Sequence, residues 1–286
     1  MIEKNSDVNL FKKLPDARLA RNVKVELTPS SMMTSHDECN AADGAFRTDS
    51  ALVVLSGGQD STTCLFWSFD KFSIASKNQR QEKIKTITFD YGQKHKIEIE
   101  SARKICDLAG VDFDLVKIPE ILRSSSPLVN KDSELEKYES VKEFKPGVEA
   151  TFVPGRNILF LTIAANIAVH HRVQNIVIGV CEEDFGGYYD CREKFIKDME
   201  RALNQGLFGE DHGLSIHTPL MHLNKAESVK LIKSFGSLEN ECLEALSYSH
   251  TCYAGAFPPC GKCHACLLRE RGFKEAGIAD PLLART

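Results

Sequence analysis

Two groups of residues in this chain are of types and spacings that do chemistry. The first is Ser56-Gly57-Gly58-Gln59-Asp60-Ser61. Glycines here let the backbone approach a ligand closely, and free N–H groups where a helix begins, with the helix dipole, favour an anion such as phosphate. The Ser56 and Ser61 hydroxyls can add donors, whereas Asp60 would repel bare phosphate and so implies a bridging Mg²⁺. The loop is not of the G-x-x-x-x-G-K-[ST] kind; the nearest look-alike, Gly255 to Cys263, has the wrong spacing and lacks the hydroxyl. The second group is Cys252-x7-Cys260-x2-Cys263-x2-Cys266. Four soft thiolates close a tetrahedral Zn²⁺ shell with no position left for water, which makes the ion structural, one per chain. Free thiols, disulfides and an iron–sulfur cluster are the alternatives; His250 and His264 could replace a cysteine ligand, but four thiolates make that unnecessary, and they read as surface or substrate-side histidines.

The elements needed to hold these groups are legible around them. Ala51 to Ser56 reads as a short buried strand that runs into the loop, and Ser61 to Phe69 as the start of a helix. Further strands are expected at Ile84 to Phe89, Phe113 to Ile118 and Asn175 to Val180, and helices at Lys94 to Ala109 and Asn157 to Arg172. This alternation predicts an α/β fold, a parallel sheet with helices on both faces, Rossmann-like and of the adenine nucleotide alpha hydrolase kind, with a small C-terminal zinc-binding subdomain. The expected division is an N-terminal extension over 1–49, which reads as a disordered tail, a docking arm or the result of a true start at Met32 or Met33; a nucleotide-binding domain over 50–235; and the zinc-binding segment over 236–286. Residues 119–150 are charged and without period, as expected of a lid, a binding loop or a disordered insert.

Composition narrows the function classes. The 286 residues, 42% hydrophobic and 27% charged, fit a globular protein with a large core and no membrane span. A net charge of −4 gives no general attraction to nucleic acid, so small molecules are the expected partners. Ten cysteines without an apolar N-terminal signal segment point to a reducing, cytoplasmic compartment. The scattered Cys39, Cys64, Cys106, Cys181, Cys191 and Cys242 read as small hydrophobes.

The loop resembles the SGGxDS signature of the PP-loop ATP pyrophosphatases, which adenylate a substrate oxygen. With the cysteine cluster and the segments FDYGQKHKIEIESA (Phe89 to Ala102), TFVPGRN (Thr151 to Asn157), GVCEEDFGGYYDCR (Gly179 to Arg192), TPL (Thr218 to Leu220) and KAE (Lys225 to Glu227), the chain resembles the 7-cyano-7-deazaguanine synthase family over residues 51 to about 275. The N-terminal segment and the polar insert Ser76 to Lys83 lie outside the family's pattern. The resemblance implies that ATP adenylates a 7-carboxylate, free ammonia displaces AMP to give an amide, and a second ATP activates the amide for elimination to the nitrile. It implies an ATP site at Leu55, Ser56, Gly57, Gly58, Gln59, Asp60, Ser61, Thr62, Thr63, Cys64 and Leu65 with Mg²⁺, catalytic roles for Asp60, Arg156 and Lys225, and a homodimer. Glu183, Asp184, Asp190 and Arg192, with Glu182 beside them, follow a strand end where parallel sheets bind ligands, and are the expected substrate contacts. Tyr91 and Phe185 could stack on a base or pack in the core. The rival readings are a PP-loop tRNA-modifying enzyme such as a thiolase, which would carry a basic appendage, and a zinc-ribbon binding module, which would leave the loop unexplained.

Overall fold

Burial along the first strand sets the architecture. In β1 (Arg47–Val54) and the residue after it, Ala51, Val53 and Leu55 enter one apolar core while Leu52 and Val54 enter another, as a period of two requires when both faces are covered. The computed structural model describes residues 46–119, 121–182 and 187–285. After β1 come α1 (Gln59–Lys71), α2 (Lys77–Lys83), β2 (Ile84–Asp90), α3 (Ile97–Ala109), β3 (Asp114–Lys117), α4 (Arg156–His170), β4 (Val173–Ile178), α5 (Glu193–Phe208), β5 (Ser215–His217), α6 (Lys225–Leu231), α7 (Glu239–Ser247) and α8 (His264–Ala276).

The strands form one parallel sheet in the order β3-β2-β1-β4-β5. Strands are added on one side of β1 and then on the other, so the crevice beyond the carboxyl ends of β1 and β4 is the topological switch point where such sheets take ligands. One core joins β1 to Leu65, Phe66 and Phe69 of α1, Ile105 of α3, and Cys242 and Leu246 of α7. The other joins it to Phe160, Leu161, Ala164 and Ala165 of α4 and Ile196 of α5. Phe273 of α8 also lies in the first core, so the helix that carries Cys266 is anchored on the sheet. No helix among the described residues is long and apolar enough to cross a membrane.

Several boundaries differ from the expected ones. β1 starts at Arg47 rather than Ala51, because the added residues are held by backbone pairing, Arg47 N–H to the Arg172 carbonyl at 2.9 Å, and leave no apolar trace. The rest of the N-terminal extension, residues 1–45, lies outside the described residues. α4 stops at His170 and β4 begins at Val173, since Arg172 turns the chain at φ 55°. β5, Ser215–His217, is too short and polar to announce itself. Residues 119–150 hold one short helical turn, Val141–Glu143, among those described, and strap onto the cysteine segment through Tyr138 N–H to the Lys262 carbonyl at 2.8 Å.

The polar insert forms α2, started by a capping box between Ser76 and Gln79. Its Arg80 is 2% exposed and lies 4.5 Å from the Phe69 ring; Nη1 donates to the Ala109 carbonyl at 3.1 Å and to Glu241 at 2.7 Å. The insert thus clamps α3 to α7. Glu241→Ala leaves this guanidinium short of a charged acceptor and is expected to lower unfolding free energy by about 2 kcal/mol, read as a reduced urea midpoint. An unchanged midpoint would show that the clamp contributes nothing.

Candidate active site

The glycine loop leaves β1 and enters α1 in a conformation dictated by its neighbours. Gly57 has φ 84°, and a Cβ there would overlap the Glu98 carbonyl oxygen of α3, so the position demands glycine. Gly58 precedes α1 and brings no side-chain cap to its amides. The first turn of α1 therefore faces an open crevice with its positive dipole end, as an anion site requires. The two serines brace the loop: Ser56 N–H donates to Ser61 Oγ at 3.1 Å, the two hydroxyls lie 3.0 Å apart, and Gly58 N–H donates to Ser56 Oγ at 3.3 Å. Gly179, just past β4, also packs against the start of α1; a Cβ there would lie 2.9 Å from Ser61 N.

Across the crevice, Lys225 at the start of α6 reaches back to Asp60 with Nζ 2.7 Å from Oδ2. The lysine is 11% exposed, so the loop's one acid and a cation from a residue 165 positions away form a mostly buried pair. Arg156, the first residue of α4, enters from a third side and stands 5.9 Å from the Tyr91 ring centre. Loop, Lys225 and Arg156 border one cleft of about 330 Å³, at the lower end of small-molecule sites. Glu98 lines it as well. Burial pushes its carboxyl up to about 7, against the downward pull of Arg156, with Cys252 adding a smaller upward push.

The far wall comes from the cysteine segment. The sulfurs of Cys252, Cys260, Cys263 and Cys266 all lie within 4.8 Å of one another, Cys260 and Cys266 at 3.9 Å. A tetrahedron with metal–sulfur bonds of ~2.3 Å has edges of about 3.8 Å, so the donor set fits a single ion. The segment is tied to the loop itself: His250 N–H donates to the Gly57 carbonyl at 2.8 Å. It is also seated on the segment after β2, where the His95 ring fills the space a Cβ on Gly255 would occupy. His250, Thr251, Tyr253, His264 and Leu268 are thereby presented to the cleft.

The expected site residues separate into those that reach this cleft and those that do not. Leu55, Ser56, Gly58, Gln59, Asp60, Ser61, Arg156, Arg192 and Lys225 line it. Gly57 supports the loop from beneath α3. Thr62, Thr63, Cys64 and Leu65 do not line it: Thr62 Oγ1 donates to the Gly58 carbonyl at 2.7 Å and Thr63 Oγ1 to that of Gln59 at 3.1 Å, while Cys64 and Leu65 belong to the core. Asp190 is 5% exposed and is spent on structure, accepting Asn157 N–H at 3.1 Å in the first turn of α4. Arg192 is exposed, 5.0 Å from the Tyr189 ring. Glu183, Asp184 and Phe185 lie outside the described residues. Tyr91 packs edge-on to Phe160 at 5.5 Å, although it also borders the cleft. Glu98, Tyr188 and Tyr253 line the cleft unforeseen; only the close approach at Gly57 reveals that α3 faces the loop.

Over residues 50–277 the chain matches the family model described as Queuosine biosynthesis protein QueC. It is 50% identical over 233 residues to a 7-cyano-7-deazaguanine synthase of Gloeobacter violaceus, covering 81% of this chain and 94% of that one. A 7-cyano-7-deazaguanine synthase of Chromobacterium violaceum is 45% identical over 237 residues, 83% of this chain and 94% of the relative. One from Laribacter hongkongensis is 44% identical over 236 residues, with 82% and 94% covered.

Proposed function

This chain belongs to the family of queuosine biosynthesis proteins QueC, and on that premise we propose that it makes 7-cyano-7-deazaguanine from 7-carboxy-7-deazaguanine and ammonia, at the cost of two ATP cleaved to AMP and pyrophosphate. The enzyme is then a ligase that forms a carbon–nitrogen bond in the cytoplasm. The observation that carries the reading is the convergence of the glycine loop, the Lys225–Asp60 pair and Arg156 on one cleft at the switch point of the sheet.

A carboxylate carbon loses neither oxygen readily, so each must leave as part of a phosphate ester. The loop amides and the start of α1 hold the phosphates; Lys225 and Arg156 offset charge that grows as pyrophosphate departs. Asp60 would hold the Mg²⁺ that accompanies ATP, and that ion would supply charge neutralisation to the phosphates. Arg192 at the cleft mouth can meet the substrate carboxylate in a bidentate pair. The four-cysteine site is assigned to zinc: its sulfurs stand too close together to surround an iron–sulfur cube, and a closed thiolate shell leaves the ion no chemistry beyond holding the wall.

Mass spectrometry of a reaction containing the protein, Mg-ATP, an ammonium salt and 7-carboxy-7-deazaguanine tests the reading. The expected products are the nitrile and about two AMP per nitrile. ATP cleavage without nitrile would retain the nucleotide site and reject the substrate.

A further inference from the structure

Ammonia carries three hydrogens and a nitrile nitrogen carries none, so three protons must leave the reacting nitrogen in each turnover. No oxidant is involved, because acid, amide and nitrile share one carbon oxidation level. At the first adenylate, the ammonia nitrogen bonds to the acyl carbon, the carbon–oxygen bond breaks with its electrons going to AMP, and one proton departs. After the amide oxygen has displaced pyrophosphate from the second ATP, the remaining carbon–oxygen bond breaks, AMP leaves and two protons depart as the triple bond forms. Phosphate-binding groups do not accept these protons.

A base beside the loop that holds the α-phosphate is best placed to accept them. Among the described residues, the carboxylates lining the cleft are Asp60, Glu98 and Glu182. Asp60 is engaged by Lys225 at 2.7 Å. Glu182 is exposed at the rim. His250 has its ring nitrogen 3.1 Å from the Cys252 carbonyl, His264 stands between two of the clustered cysteines in sequence with Nε2 3.9 Å from Glu149, and Tyr188 shares its hydroxyl with Thr151 at 2.6 Å. Glu98 is half-buried in the first turn of α3, its own backbone packed on Gly57 of the loop.

We propose that Glu98 is the catalytic base of the nitrogen steps, taking a proton as the amide forms and again as the nitrile forms. This assignment rests on the reaction proposed above. The titratable and charged groups that act on Glu98 are Arg156 from α4, Tyr91 from the turn after β2 and Cys252 from the metal segment. Burial places its carboxyl near 7, the range in which a general base both takes and releases a proton at neutral pH. The carboxylate is the active form, so the nitrile rate should fall as pH drops below about 7.

The test compares wild type with Glu98→Gln and Glu98→Asp in two assays: carboxylate-dependent exchange of labelled pyrophosphate into ATP, which precedes any nitrogen step, and nitrile formation. The expected result is that the ratio of nitrile formation to exchange falls about a hundredfold in Glu98→Gln and recovers partly in Glu98→Asp. The acidic limb of the wild-type profile should vanish from Glu98→Gln. Folding of the variant is read separately. A carboxyl raised from 4.5 to about 7 by the fold favours the native state below 4.5 and weakens it as pH rises through 7, so Glu98→Gln should melt no lower than wild type at pH 8. A ratio within about threefold of wild type, a limb that persists, or equal loss of both activities overturns the assignment. Absence of nitrile from the wild-type control, by contrast, rejects the reaction itself and the base with it.

Discussion

Lys225→Met should lower carboxylate-dependent adenylation by about a thousandfold, some 4 kcal/mol of transition-state stabilisation, the scale of a preorganised charged donor removed from a water-poor site. The lysine is 11% exposed and 2.7 Å from Asp60, so its charge acts where solvent screens little. Removing it does two things at once. It takes away a cation from the departing pyrophosphate and leaves the Asp60 carboxylate facing the triphosphate with one positive charge fewer. Both raise the barrier more than they weaken ground-state ATP binding, so kcat should fall more than KM rises. The measurement is pyrophosphate exchange at saturating Mg-ATP, with a thermal melt to check the fold. A rate within about tenfold of wild type would mean that the pair serves only to dock α6 on α1.

Stripping the metal should be as damaging by a different route. Treatment with a thiol reagent and a strong chelator is expected to release about one zinc per chain, measurable by elemental analysis, and to reduce nitrile formation by at least about a hundredfold. No ion–substrate contact is needed for this effect. The cysteine segment presents His250, Thr251 and Tyr253 to the cleft and holds the loop through His250 N–H to the Gly57 carbonyl at 2.8 Å. Without the ion, a stretch rich in turns loses the constraint that orders it, and the far wall and the loop's support go together. α8 retains Phe273 in the main core, so the sheet should survive. Loss of activity with little change in far-ultraviolet circular dichroism is the expected pattern. Full activity in protein containing under about a tenth of an ion per chain would remove the metal from the argument.

The two signatures of chemistry, the glycine loop and the four-cysteine cluster, were legible because each is local: its function depends on backbone geometry or ligand spacing within about fifteen residues. The core strands were legible for a related reason, since a strand covered on both faces is an unbroken apolar run. β5 and the start of β1 were not, because backbone pairing alone defines them. Beyond local range, residue type could not decide direction. Thr62 and Thr63 follow the loop in sequence yet bond back to their own helix, and Asp190 is consumed by the first turn of α4. Glu98 shows the converse, an ordinary acid in a charged helix that becomes a cleft residue only because Gly57 lets α3 rest on the loop. Sequence alone therefore picked out the glycine loop and the four clustered cysteines as the places where chemistry belongs. Tertiary packing decided which other side chains face them, because burial and opposing charges are set by elements far apart in the chain.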